Sequence, residues 1–265
     1  MTKRILAFIL VWMLMDISAD ARKFVFIQIS DPQLGFREEE GFAEGERLLE
    51  KTVDLINSTE PAFVIVTGDM TNSSSSKIQY EAYRTCMSRI SGKIKVLHLP
   101  GNHDIKKTDE ESLAAYREKY GNDRFCFRHG KTTVLGLNSP IIISGTPEQE
   151  EEQFRWLEKC LSKAVKSDHI FVFMHYPIVT KDLDEKETYS NFPVSKRRRY
   201  VELFKKYGVD VVFAGHLHQN FDCDMEGVRM ITCGPSGLPL GKGYSGYNLI
   251  EVDGMNYVCT YLPVE

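Results

Sequence analysis

Polar residues of a narrow set recur where apolar runs end. The run at residues 24–30 gives way to Asp31-Pro32-Gln33, and the run at 63–67 to Gly68-Asp69-Met70-Thr71-Asn72. Residues 94–99 lead into Pro100-Gly101-Asn102-His103-Asp104, residues 169–174 into His175-Tyr176-Pro177, and residues 209–214 into Gly215-His216-Leu217-His218. Carboxylates and imidazoles suit divalent Mn, Fe or Zn, and an aspartate can bridge two cations with its two oxygens. A His-x-His on an extended turn can address two neighbouring metals. A glycine beside each ligand lets the backbone turn sharply or come close without a Cβ clash. Alone each piece is weak, since a Gly-Asp is commonly a turn and a strand-end His commonly structural. The ordered set points to a metal site.

The elements that must position these residues follow from hydrophobic periodicity. Strands are expected at 24–30, 63–67, 94–99, 124–128, 132–137, 169–174 and 209–214. Helices are expected at 44–57, 77–90, 111–120, 148–164 and 195–207, the first with Leu48, Leu49, Val53 and Ile56 on one face. From Gln219 onward the pattern is one of β-hairpins, with strands at 228–232, 247–252 and 256–261. Strand–helix alternation followed by strands predicts an α/β core whose sheet is completed by an antiparallel section. In such a core, functional groups gather at the carboxyl ends of strands. Five strand ends would therefore bring Asp, Asp, Asn, His and His-x-His into one crevice.

The order Asp-x-(His/Gln), Gly-Asp, Gly-Asn-His-Asp, His, Gly-His-x-His resembles that of the calcineurin-like metallophosphoesterases. Asp31-Pro32-Gln33, in place of the more usual Asp-x-His, is similar to the branch containing calcineurin-like phosphoesterase-domain-containing protein 1 and its bacterial relatives. Residues 116–139, 152–161 and 192–218 follow the family pattern too. The resemblance implies a four-layer α/β/β/α sandwich with two divalent metal ions at the sheet edge, Mn or Fe favoured, Mg or Zn possible. By position, the first metal would be held by Asp31, Gln33, Asp69 and His218, and the second by Asp69, Asn102, His175 and His216. A hydroxide formed between them would attack phosphorus, and His103 would protonate the leaving alkoxide. Asn72 would orient His103, with Asp104 one step behind. The substrate is expected to be a phosphate ester, a monoester or phosphoprotein first and a phosphodiester second. Gln33 offers a neutral amide oxygen, usually a weaker ligand than imidazole, which favours Mn²⁺, Mg²⁺ or Fe²⁺ over Zn²⁺ at the first position. It also opens a reading of another class, a non-catalytic metal-binding module on the same fold. Acyl transfer by a Ser-His-Asp set is disfavoured, because no Gly-x-Ser-x-Gly elbow occurs.

With 265 residues, 42% of them hydrophobic and 26% charged, the chain has the makings of one large α/β domain at residues 22–265. A formal charge of −4 gives no reason to expect nucleic acid as an obligatory partner. Lys3 and Arg4, the apolar run at 5–15 and the small residues Ala19 and Ala21 read as a signal peptide at 1–21. That predicts export, to a bacterial periplasm or a secretory pathway, with no membrane span after cleavage. The six cysteines are spread out with no CxxC and are expected to be mostly buried apolar residues, with Cys223 and Cys233 able to pair across a hairpin. Lys196-Arg197-Arg198-Arg199 reads as the solvated side of a helix start, His98 and His169 as core or surface residues, His129 as a turn and Trp156 as packing. The loop at 234–246 is expected to border the pocket, with Lys242 or Tyr244 touching substrate.

Overall fold

Two sheets face each other, each covered outside by helices. The structure, a computed structural model, describes residues 23–37 and 42–265. In chain order the first half contains β1 (Lys23–Ile29), α1 (Phe42–Thr59), β2 (Phe63–Thr67), α2 (Lys77–Met87), β3 (Lys95–Leu99), α3 (Glu110–Tyr120), β4 (Phe125–His129) and β5 (Thr132–Gly136). Then come α4 (Ser139–Ser144), α5 (Pro147–Ala164), β6 (His169–Phe173), α6 (Val194–Tyr207) and β7 (Val211–Ala214). The C-terminal strands are β8 (Phe221–Asp224), β9 (Arg229–Thr232), β10 (Gly246–Asp253) and β11 (Asn256–Pro263). One sheet has the order β11-β10-β1-β2-β3 and the other β4-β5-β6-β7-β9-β8.

β1, β2 and β3 run parallel, as do β5, β6, β7 and β9. Every residue of β2 and β6 is buried, because both faces of each sheet are covered and the apolar run is not interrupted by a solvent face. Between the sheets lies a core rich in phenylalanine, including Phe26, Phe63, Phe171, Phe173 and Phe213. Outside the first sheet, the predicted stripe of Leu48, Leu49, Val53 and Ile56 on α1 packs against Ile27, Val64 and Val66. Outside the second, Leu157 and Leu161 of α5 and Tyr200 and Phe204 of α6 cover Val172 and Val212. The layers are α/β/β/α. Helix ends follow their local chemistry: Thr146 and Gln149 form a capping box at the start of α5, and Gly208 closes α6 in left-handed backbone.

The C-terminal hairpins divide between the sheets. β9 lies parallel to β7 while β10 returns to pair with β1 antiparallel. α4 and β8 were not anticipated. The first has six residues and the second four, too few for a period to show. His129 ends β4 rather than forming a turn, with its ring packed on Phe24 and Phe63. Of the cysteines only Cys86 and Cys233 are buried, Cys126 is exposed and all are free thiols. Cys223 stands opposite Met230 in the β8–β9 ladder, not opposite Cys233, so the anticipated pairing is not made. The segment 1–21 lies outside the described residues. Among the described residues no helix is long and apolar enough to cross a membrane.

The basic run 196–199 is not wholly a solvated face. Arg197 is fully buried and donates to the carbonyls of Phe192, Leu183, Glu185 and Lys186. It pins the segment 183–192 onto the start of α6. Replacing it leaves several buried carbonyls without donors, so Arg197→Met should lose on the order of 3 kcal/mol. That corresponds to a fall in Tm of about 6–12 °C. Arg198, whose guanidinium makes only exposed pairs with Asp184 and Glu226, should tolerate the same change within about 0.5 kcal/mol. Thermal unfolding of both variants checks the contrast, and equal losses would sink it.

Candidate metal centre

The backbone at the strand ends is strained at the residues whose side chains carry the chemistry. Asp31 (φ 49°), Gln33 (φ 38°), Asp69 (φ 52°), His216 (φ 70°) and His218 (φ 50°) all lie in the left-handed region. A non-glycine residue held there costs of order 1–3 kcal/mol and persists only where its surroundings over-determine it. Those surroundings are visible. Asp31 N donates to Gly68 O (3.1 Å) and Gln33 N to Asp69 O (2.8 Å), locking the loop after β1 to the loop after β2. Asp104 accepts from the backbone amides of Asp69 (2.7 Å), Met70 (3.0 Å) and Gly101 (2.9 Å), tying the loops after β2 and β3. A Cβ on Gly101 would lie 2.1 Å from Asp69 Oδ1, and one on Gly215 would lie 1.9 Å from Ser30 Oγ. Glycine is required at both by crowding.

Each histidine of the cluster is fixed in one tautomer by a main-chain carbonyl. His175 Nδ1 donates to Thr67 O (2.8 Å), His216 Nε2 to Tyr189 O (3.2 Å) and His218 Nδ1 to Leu238 O (3.1 Å). The opposite nitrogen of each ring then presents a lone pair. His175 Nε2 faces Asn102 Oδ1 at 3.0 Å, His216 Nδ1 at 3.2 Å and Asp69 Oδ2 at 3.5 Å. Candidate ligand atoms of Asp69, His175 and His216 all lie within 4.8 Å of one another. Next to them, His218 Nε2 lies 3.7 Å from Asp31 Oδ1. Asp31 Oδ2 is occupied by Ser30 Oγ (2.5 Å) and the His216 amide (3.0 Å), whereas Asp31 Oδ1 and Gln33 Oε1 are buried with no hydrogen-bond partner among the described residues.

The electrostatics agree with that geometry. Burial, and next the charge of Asp31, push the Asp69 carboxyl up to about 8. Burial, and next Asp69, push Asp104 up as well, against its backbone donors. Burial holds His216 down to about 3, so its ring is neutral at physiological pH. Adjacent buried carboxylates and neutral imidazoles with inward lone pairs favour positive charge between them, and hard oxygens mixed with imidazole nitrogens suit a divalent first-row cation. Such residues could hold two cations: Asp31, Gln33 and His218 on one side, Asn102, His175 and His216 on the other, with Asp69 between.

The candidate metal-ligating and catalytic residues come together at this sheet edge. His103 Nδ1 donates to the backbone oxygen of Asn72 (2.8 Å), and the His103 amide donates to Asp69 Oδ1 (2.8 Å). Asn72 therefore orients His103 through its main chain. Its side-chain oxygen accepts instead from Gln33 Nε2 (3.3 Å), which turns Gln33 Oε1 away from Asn72. Asp104 faces backbone amides and serves as a clamp. Tyr189 was missed: its hydroxyl accepts from Asn102 Nδ2 (2.7 Å) and its ring stands 5.0 Å from that of His216. Nothing in the charged segment around it marks it out. Tyr176, 4.2 Å from the His216 ring, had a signal in its place beside His175. In the loop 234–246, Leu238 reaches the centre through its carbonyl, while Tyr244 packs on Tyr261.

Comparison with known proteins agrees with this architecture. Residues 24–220 match the calcineurin-like phosphoesterase family. The chain is 29% identical over 259 residues to the serine/threonine-protein phosphatase CPPED1 of Danio rerio, covering 90% of this chain and 84% of that protein. It is 24% identical over 232 residues to a probable cyclic nucleotide phosphodiesterase of Vesicomyosocius okutanii, covering 86% of this chain and 94% of the relative. The crystal structure of a dimetal phosphatase from Danio rerio superimposes with a TM-score of 0.70 at 15% identity, over 91% of this chain and 96% of the other. With the family matched over most of its length, this chain belongs to the calcineurin-like phosphoesterases and is a metallophosphoesterase.

Proposed function

We propose that the protein hydrolyses phosphate monoesters, phosphoproteins among them, using two divalent cations held in the cluster around Asp69. The first cation would take Asp31 Oδ1, Gln33 Oε1, Asp69 and His218 Nε2. The second would take Asp69, Asn102 Oδ1, His175 Nε2 and His216 Nδ1. The observation that carries this reading is the convergence of His175 Nε2, His216 Nδ1, Asn102 Oδ1 and Asp69 Oδ2, a knot of lone pairs that fits a cation. When bound, the cations neutralise the phosphoryl group and lower the pKa of the attacking water.

The remaining work falls to side chains. Asp69 takes part in both sets while its Oδ1 holds the His103 amide. His103 is anchored at Nδ1, so in its protonated form Nε2 is the donor available to the leaving oxygen. Tyr189 and Tyr176 stand beside His216 and wall that side of the site. Because Asn72 keeps the Gln33 amide turned with its oxygen free, the change from histidine does not remove a donor, which favours an enzyme over a non-catalytic metal-binding module. The monoester preference rests on similarity to a serine/threonine-protein phosphatase, and a phosphodiester substrate is the second reading, from similarity to a probable cyclic nucleotide phosphodiesterase. The oxygen-rich first position favours Mn²⁺ or Fe²⁺. Export through residues 1–21 is part of the same proposal, resting on Lys3, Arg4 and the apolar run behind them.

The direct test is hydrolysis of p-nitrophenyl phosphate and of bis(p-nitrophenyl) phosphate with Mn²⁺, Mg²⁺, Fe²⁺ or Zn²⁺ added to chelated protein. Faster monoester turnover with Mn²⁺ or Fe²⁺ is expected, and inactivity on both esters with every metal would end the proposal. His103→Ala should slow alkyl phosphates with poor leaving groups by about 10²–10⁴-fold and p-nitrophenyl phosphate far less. Equal losses would remove the proton-donor role.

Metal affinity should depend on pH through Asp69. Its raised pKa means that the protonated carboxyl stabilises the metal-free fold fully below the ordinary range near about 4, and that this contribution is lost as pH rises through about 8. A cation must displace that proton, so the gain in Tm on adding Mn²⁺ should grow from about pH 6 to about pH 8. A gain independent of pH would exclude Asp69 as a ligand. Gln33→His should tighten Zn²⁺ binding in titration calorimetry, since imidazole suits zinc better than an amide. Unchanged zinc affinity would show that position 33 does not reach the metal.

A further inference from the structure

One edge of each sheet is exposed on the same side of the molecule, β3 in one and β4 in the other, and a groove of about 990 Å³ opens between them. Cys126 of β4 and Cys160 of α5 both line it. Along β4, Phe125 and Phe127 pack toward the core between the sheets, so the alternate residues Cys126 and Arg128 point the other way, toward α5. This turns the exposed Cys126 toward the half-buried Cys160, which lines the same groove. The surroundings are cationic. Lys95, Arg128 and Lys163 line the groove, and the carboxylate of Asp123 is engaged by Arg117 and Asn138.

We propose that Cys126 and Cys160 are a redox-active dithiol, converted to an intramolecular disulfide by a small anionic disulfide that enters this groove. Cys160 is the attacking sulfur. The neighbouring Cys126, and after it Lys163 and Arg124, lower the pKa of its thiol, which favours the thiolate. The thiolate attacks one sulfur of the incoming disulfide, whose S–S bond breaks, and the displaced thiolate leaves with the electron pair and takes a proton. Cys126 then gives its proton to solvent, attacks Cys160 Sγ in the mixed disulfide and expels the second thiolate. The two protein thiols lose two electrons and two protons, and the oxidant becomes two thiols. β4 has a free edge, so it can make the small approach that closure requires. None of the metal-centre residues lines the groove, so this proposal and the phosphoesterase reading stand or fall separately.

The test treats the full chain with glutathione disulfide and follows intact mass, peptide maps and Tm. The mass should fall by two hydrogens, the peptides carrying Cys126 and Cys160 should become linked, and Tm should rise, all reversed by dithiothreitol. Cys126→Ser should stop at a glutathione adduct on Cys160, while Cys160→Ser should leave Cys126 unmodified over the same time. The cationic disulfide cystamine should react several-fold more slowly at low salt, with the gap narrowing as salt is added. A linkage between other cysteines, persistence of both thiols or faster reaction with cystamine would each overturn the proposal. The peptide map of the unmutated chain decides the matter even where a serine variant folds poorly.

Discussion

Imidazole nitrogens of His175, His216 and His218 and side-chain oxygens of Asp31, Gln33, Asp69 and Asn102 turn their lone pairs toward one small region. In a buried, low-dielectric site this electron-rich arrangement is repulsive unless positive charge sits within it. Side chains alone would rotate away. What stops them is backbone: the carbonyls of Thr67, Tyr189 and Leu238 each take the imidazole proton on the far side of a ring. The donor set is therefore prepared before any cation arrives, and the surrounding fold bears the energetic cost of that preparation.

That cost also explains why the two sheets must be locked together at this edge. The core between them is mostly apolar and non-directional, so it leaves their relative placement loosely specified. Gln28 is a buried exception, with its amide nitrogen donating to Ala214 O on the second sheet and to Thr67 Oγ1 on the first, and its oxygen accepting from Asn248. His175 to Thr67 O and the His216 amide to Asp31 make the same crossing at the centre itself. A polar seam of this kind favours one register because any slip leaves buried groups unpaired. α4 contributes too: Ser139 Oγ accepts from the amides of His175 and Tyr176, fixing the loop after β6.

The clustering of candidate ligands was legible in the sequence because these residues lie within a few positions of strand ends, where an apolar run gives way to glycine and a carboxylate or imidazole side chain. The four layers were legible for a related reason: fully buried strands such as β2 and long amphipathic helices such as α1 have strong periods. What escaped depends on contacts distant in sequence. Arg197 looks like its neighbours in a basic run, and only the fold of the segment before α6 buries it among carbonyls. Tyr189 reaches Asn102 across 87 positions. Cys126 and Cys160 meet because a strand's alternation and a helix face coincide, which no spacing rule encodes. Asn72, expected to orient His103, meets it through its main-chain oxygen, and a sequence cannot distinguish a role of the side chain from one of the main chain.

The repeated pairing of glycine with a candidate ligand has a physical meaning beyond flexibility. In Gly68-Asp69 and Gly215-His216 the second residue sits in left-handed backbone, a conformation glycine would adopt without strain. Glycine there would supply no donor atom. In Gly215-His216 the strain is therefore carried by the residue whose side chain is needed, and the preceding glycine relieves a different problem, the absence of room. At Gly215 a Cβ would collide with Ser30 Oγ and approach Asp31 Oδ2 to 2.8 Å. At Gly215-His216 steric crowding and backbone strain are thus separated onto adjacent residues, whereas Gly68, at φ 94°, carries both itself. That division of labour, more than the ligand types alone, lets loops from both sheets approach closely enough to present their donors to a common centre.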